Sequence, residues 1–372
     1  MGEAMDATVM VGLTLVLLPI VGVLMALTPY LMKKSECFAV TVPEVASTDP
    51  YLKGLKHRFL IEMLALTVLV TAIGVAFWVL DNAGGVIAVM IAGTLLLTFG
   101  GYALMLFNRK KVSAYKKQQG WHAEAQESVA FVGEGNAPRA ISLSWNLLYV
   151  PVMLVTLAIG FVGYAHMPDM IPMQMGFDGE VSRYAEKSPL VVLMPVFIQL
   201  FLVACMVFSH WTMLRSKKPS DPKAPATSAL AYGMFARAQS IFLLVTGMSI
   251  CIAMVLMPLS FMGVVELMQA GVAIMVVCLI IVIGSIAISV VYGQGGARLF
   301  ARMGASDELL ADDDEHWRLG IFYFNRDDPS LFLPERFGIG WTANFARPAI
   351  WVIGLGGVVL TVVFVVVIMS IA

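Results

Sequence analysis

The chain has 372 residues, 59% of them hydrophobic and 13% charged, with a mean hydropathy of +0.84 and a formal net charge of −1. That is too much apolar surface for one water-soluble core and too few charges for a soluble surface, so lipid must be the main solvent. Four isolated cysteines exclude a CxxC metal site and a disulfide framework; they read as small buried hydrophobes.

A bilayer core about 30 Å thick takes roughly 20 apolar residues per helical crossing. Eight such runs follow one another, at 9–32, 59–80, 85–107, 147–165, 190–211, 241–262, 270–292 and 350–372. The expected fold class is all-α: a polytopic membrane protein of about eight transmembrane helices, with a small cytoplasmic β-hairpin before the last one. The leader before the first run carries Glu3 and Asp6 but no Lys or Arg, whereas Lys33 and Lys34 follow it. This polarity predicts a retained helix with its N-terminus outside. Placed on the eight-helix map, 22 of the 24 Lys and Arg fall in alternate loops on one side, leaving Arg183 and Lys187 on the other. The expectation is a multi-pass protein of the cell membrane with both termini outside.

In chain order, residues 1–144 form a three-helix membrane region. Its one ionisable residue inside a span is Glu62, four positions after Arg58, which suits a structural ion pair on one helix face or, alternatively, a proton relay. Residues 145–214 form a helix-loop-helix module with Gln199 near the middle of its second helix, placed to bridge helices or to meet a ligand. Residues 215–237 open on RSKKPSDPKAPATSA and read as a flexible cytoplasmic linker, 238–296 as a two-helix hairpin, and 297–372 as the hairpin segment plus the last helix. GQGGARLF, from Gly293, lacks the Lys and Ser or Thr of a P-loop and reads as a flexible exit from helix seven; the run Asp312, Asp313, Asp314 and Glu315 lacks calcium-loop spacing and reads as solvated charge. There is no HExxH, no GxSxG and no close pairing of the five histidines with carboxylates. No enzyme activity, catalytic residue, metal or cofactor is expected.

Two loops carry more information. Between helices four and five lies MPDMIPMQMGFDGEVSRYAEKSP, whose prolines and Asp-Gly turn predict an ordered, compact, hairpin-like loop. Such order serves equally a recognition surface or a rigid cap on two helix ends. Pro168, Asp169, Ile171, Pro172, Gly179, Glu180, Tyr184 and Lys187 resemble the pattern LPDxIPxHxNxxGxxDxYxSK of the membrane module called domain of unknown function 1648, with Gln174 and Gly176 in place of its His and Asn. Before the last helix, alternation through Trp317, Leu319, Ile321 and Tyr323, an Asn-Arg-Asp-Asp-Pro turn and the run 331–333 predict a β-hairpin, with Trp341 and Phe345 at the headgroup layer. Tyr323, Asn325, Asp327, Asp328, Pro329, Arg336, Gly340, Trp341 and Asn344 resemble a second family of unknown function, near FYxNPDDPRxFVPKRxGxGWTxNF, with Arg326 in place of its usual proline.

The outer-loop module is shared with SdpI-type immunity proteins, which protect bacteria against a secreted peptide toxin and signal its presence by capturing a repressor. The resemblance implies a binding and signalling protein: the outer residues meet a secreted peptide or envelope ligand, and the inner hairpin docks a cytoplasmic regulator or, through Arg336 and Arg347, anionic lipid. The alternative is a permease or export subunit for a small or lipidic substrate, with Gln199 and Glu62 near its path. The lipid bilayer is a partner in either case, and no direct nucleic-acid contact is expected.

Overall fold

The computed structural model describes residues 14–121, 138–175, 180–218, 224–303, 313–337 and 340–371. Among them, seven helical stretches are long and apolar enough to cross a membrane: Pro50–Val79 (α2), Ala83–Gln118 (α3), Leu143–His166 (containing α4, Tyr149–Gly163), Pro189–Arg215 (α5), Pro225–Phe261 (α6, Pro225–Met254, then α7, Leu256–Phe261), Leu267–Arg302 (α8, Leu267–Tyr292, then α9, Ala297–Arg302) and Pro348–Ile371 (α10). The chain is thus a multi-pass membrane protein, as its hydropathy predicts. The first expected span is represented by α1, Leu17–Leu31, of 15 residues; its beginning lies outside the described residues.

Helix starts follow local chemistry. Asp49 caps α2, accepting from the Tyr51 and Leu52 amides at 2.8 and 3.1 Å with Pro50 in the first turn. Ser188 caps α5 ahead of Pro189. Asn82 caps α3 after a tight turn in which Asp81 has a positive φ of 52°. Helices α1, α2 and α3 pack as one unit around Leu18, Phe59, Met63, Leu97 and Met105. Their approach is close: a Cβ on Gly22 would lie 2.0 Å from Thr67 Oγ1, so only glycine fits. Helices α4 to α8 form a second unit, with α10 alongside α5.

Helix α6 begins at Pro225, so the expected linker ends before residue 225 and the boundary expected at 237 falls inside a helix; proline is at home in a first turn, where its missing N–H costs nothing. At the far end of α6 the Val255 N–H turns to Ile252 O at 3.1 Å just before Pro258, and the helix breaks. The exit from α8 is likewise not a flexible tail. Gln294, Gly295 and Gly296 form a buried 3₁₀ turn, in which Gly296 (φ +83°) sits where a Cβ would be 2.5 Å from Ala231 O. Of the cysteines, Cys37 and Cys251 are buried, Cys205 is intermediate and Cys278 is exposed on the helix surface.

Among the described residues, four two-stranded antiparallel sheets decorate the helix ends: β1 (Glu36–Cys37) with β2 (Val40–Thr41), β3 (Met170–Met175) with β4 (Val181–Glu186), β5 (Trp317–Arg318) with β6 (Phe322–Tyr323), and β7 (Phe332–Pro334) with β8 (Trp341–Ala343). The β3–β4 hairpin precedes α5, and the C-terminus of α5 meets β7. The two recognisable loops therefore lie at opposite ends of the same helix.

Candidate functional sites at the two ends of the helices

The β3–β4 hairpin has two unlike faces. Inward, Ile171 (0% exposed), Met167 and Ala185 pack with Val191, Val192, Met194 and Phe261, and with Ile368 and Ile371 near the end of α10. Lys187 closes its base: the amide donates to Asp169 O, the ammonium donates to Met167 O, both at 2.8 Å, and the ammonium lies 4.9 Å from the Tyr164 ring centre. Outward, Met170 and Tyr184 are half exposed, and Asp169, Glu180 and Arg183 are exposed. Pro172 stands opposite Tyr184 in the register. Of the residues expected here, Ile171 is thus structural, Asp169, Glu180 and Tyr184 are surface, and Gly179 lies outside the described residues.

The other element departs from the expected hairpin. Trp317–Arg318 does not pair across the Asn-Arg-Asp-Asp-Pro segment; it pairs with Phe322–Tyr323 through a turn at Leu319 and Gly320, φ 52° and 74°. Two consecutive positive φ values give the twist that joins adjacent antiparallel strands. The Asn-Arg-Asp-Asp-Pro segment is a turn of another kind: Asn325 Oδ1 accepts from the Asp327 and Asp328 amides at 2.8 and 3.3 Å. It leads to β7, which pairs with β8, and Tyr323 bridges in parallel to Asn344. Asn344 is fully buried and saturated. Its Nδ2 donates to Asn325 O and Asp328 O at 2.7 and 3.1 Å, and its Oδ1 accepts from the Asn325 and Ala346 amides at 3.1 and 3.2 Å. Asp328 accepts from Lys217 Nζ at 2.7 Å, Tyr323 OH at 3.1 Å and the Ser330 amide at 2.9 Å. Burial works to raise its pKa, but Lys217 and Ser330 outweigh it and hold the carboxyl down to about 2. Asp327 and Pro329 are exposed. Trp341 packs on Phe235 of α6, and Gly340 is gripped by the side-chain amide of Gln294, which donates to its carbonyl and accepts from its N–H at 3.1 Å.

The acidic run is the largest correction. Asp314, its side chain 22% exposed, and Asp313, 40% exposed, both pair with Arg336, whose side chain is 5% exposed, whereas Glu315 stays exposed as expected and Asp312 lies outside the described residues. Asp314 also accepts from Lys116 Nζ at 2.7 Å, from Thr41 Oγ1 at 2.8 Å and from the Thr41 amide at 3.1 Å. Burial alone would raise the Asp314 pKa; Arg336 and Lys116 hold it down to about 2. Arg109 donates to Ala39 O and, at 3.3 Å, to Trp317 O; Tyr102 OH donates to Leu319 O at 3.0 Å. This clamp joins the α1–α3 unit to the segment before α10. Sequence reading missed it because its partners are far apart in the chain. Among the described residues, no group of three or more His, Cys, Asp or Glu is placed to hold a metal.

The two polar residues expected inside the membrane lie apart. Glu62 faces outward, paired with Arg58 at 2.8 Å, 37% of its side chain exposed. Gln199 is fully buried in the other unit, where its Nε2 donates to Thr156 Oγ1 at 2.8 Å and to Cys251 O at 2.9 Å. The second bond occupies a carbonyl released where α6 breaks before Pro258.

Fold and sites together define a polytopic membrane protein with an ordered β element at each end of its helices. Residues 152–198 match the model of a domain of unknown function (DUF1648), and residues 326–351 match that of a family of unknown function (DUF5808). No curated protein and no solved structure matches the chain.

Proposed function

We propose that this protein is a non-enzymatic membrane receptor or immunity factor. Its β3–β4 hairpin faces outside and binds a secreted peptide or envelope ligand; its β5–β8 element faces the cytoplasm and docks a regulator. One observation carries the reading. Two of the helices that meet the hairpin, α5 and α10, reach the inner element at their other ends. Helix α5 leaves the hairpin at Lys187 and ends where Ser216 bridges to Phe332 and Lys217 pairs with Asp328. Helix α10 begins beside Arg347, whose Nε donates to Asp328 O at 2.9 Å, and runs to Ile368 and Ile371 under the hairpin. Between the two ends, Phe201 and Phe364 stack at 4.1 Å. A ligand that shifts the hairpin therefore loads two struts bearing on the same buried Asp328.

The orientation is supported by the basic loops and is testable with Ser182→Cys and Lys110→Cys: in intact cells a membrane-impermeant maleimide is expected to label only the former. For function, cells lacking the gene are challenged with a panel of purified membrane-active secreted peptides, then complemented with the natural chain or with Asp169→Ala, Tyr184→Ala. The natural chain is expected to restore resistance and the double variant, at equal membrane levels, to fail. Equal resistance from the two chains would remove the hairpin as the binding face; equal sensitivity of deleted and complemented cells across the panel would remove the immunity reading.

A further inference from the structure

Near the end of α5 that meets the inner element, one helix face carries Leu200, Ala204, Phe208 and Trp211 in successive turns. With Val207 and Leu143 they line an apolar groove of about 430 Å³. Leu200 to Trp211 covers about 16 Å of helix, close to one leaflet of a hydrocarbon core about 30 Å thick. The rim is aromatic: Trp211 and Phe208 meet Phe332 edge-on, with ring centres 5.6 and 6.4 Å apart, and Trp145 is half exposed two residues beyond Leu143. Such rings mark the headgroup boundary.

Arg215, Lys217 and Lys218 cluster at this end of α5, and Asp328 takes Lys217. Arg215 follows Trp211 by one turn on the same face; it is exposed and forms no ion pair among the described residues. Arg139 and Lys218 are exposed nearby in the chain, and residues 138–148 and 189–218 contain no Asp or Glu. The arginines that the sequence offered for lipid are spoken for, Arg336 by Asp313 and Asp314 and Arg347 by Asp328 O. We propose that this groove is a binding site for an anionic phospholipid: one acyl chain lies along α5 from Trp211 to Leu200, and the phosphate sits on Arg215, with Arg139 and Lys218 adding positive field. Because Trp211 and Phe208 also hold Phe332, an occupied groove braces β7 against α5.

The test is native mass spectrometry of the purified full-length chain in detergent after equilibration with equimolar dioleoyl phosphatidylglycerol and phosphatidylcholine. The natural chain is expected to retain one phosphatidylglycerol in preference to phosphatidylcholine. Arg215→Gln is expected to lower that retention about fivefold, one basic group near an anionic lipid surface being worth that much. Leu200→Trp, which fills the groove from an exposed position, is expected to lower it comparably, whereas Lys111→Gln on α3 leaves it unchanged. Equal retention of the two lipids would mean bulk solvation and overturn the proposal. Undiminished phosphatidylglycerol in Leu200→Trp, or its displacement by inorganic phosphate alone, would mean headgroup attraction without an acyl site and would overturn it as well.

Discussion

Replacing Asp314 by Asn removes one charge and almost no volume from the clamp. It leaves Lys116, 10% exposed, and Arg336, 5% exposed, without the carboxylate they share. Holding that carboxyl at about 2 against an ordinary 3.8 corresponds to about 2.4 kcal/mol in favour of the ionised form. Stripping one member from a buried pair costs about 3–5 kcal/mol, and Asp313 still serves Arg336, so the expected loss is about 2–3 kcal/mol. The loss is local, because the helices keep their own packing. Hydrogen exchange at pH 7 is expected to show protection in residues 36–49 and 313–337 falling about thirtyfold or more, with the spans unchanged. The pH sign follows from the depressed pKa: the contribution is complete above about 4 and is lost as pH falls through 2. A near-UV acid titration of the natural chain should show a step in that window, and Asp314→Asn should show a smaller one, because Asp328, also held down to about 2, still titrates there. Adding Arg336→Met to the Asn variant should cost less than the two single losses summed, since the pair the two residues share is then counted once. Unchanged protection in Asp314→Asn, or strictly additive effects in the double variant, would refute the clamp.

Glu335 behaves oppositely: burial pushes its carboxyl up to about 7 from 4.5, so its contribution is present below about 4.5 and is lost as pH rises through 7. Glu335→Gln should therefore gain thermal stability over the natural chain at pH 8 and little at pH 4; a constant difference would contradict this. Asn344→Ala breaks four hydrogen bonds at a fully buried position, and a local loss of about 2–4 kcal/mol should appear as faster exchange from 323 to 346. Gln199→Leu should lower the melting temperature by an amount matching about 1 kcal/mol, since intramembrane hydrogen bonds are modest; transport-like loss of function with unchanged melting would favour a pathway role instead. Ile171→Ser should loosen the hairpin and expose it to protease, whereas Tyr184→Ala, at a half-exposed site, should leave its protease resistance intact.

Hydropathy and charge alternation made the spans legible because each span is a local property of about 20 residues, and Pro and Asp-Gly made the β3–β4 hairpin legible for the same reason. The second motif was legible as a motif but not as a fold. Leu319 and Gly320 form the strand turn although Leu carries no turn signal, while the conspicuous Asn-Arg-Asp-Asp-Pro segment is an Asn-capped bend that leads to another sheet. Asp314 looked solvated since its cations, Lys116 and Arg336, are 198 and 22 positions away and no spacing rule joins them. Gln294 looked like part of a glycine-rich tail for the same reason: its partner is the backbone of Gly340, 46 positions on.

The clamp also sets an order of assembly. Thr41 and Asp314 are 273 positions apart, and Lys116 and Asp314 are 198 apart. A chain emerging N-terminus first inserts α1, α2 and α3 long before the carboxylates that Lys116 and Thr41 require have been synthesised. Until residue 314 emerges, Lys116 and Thr41 lack this carboxylate, and an interrupted chain differs from a finished one at that contact.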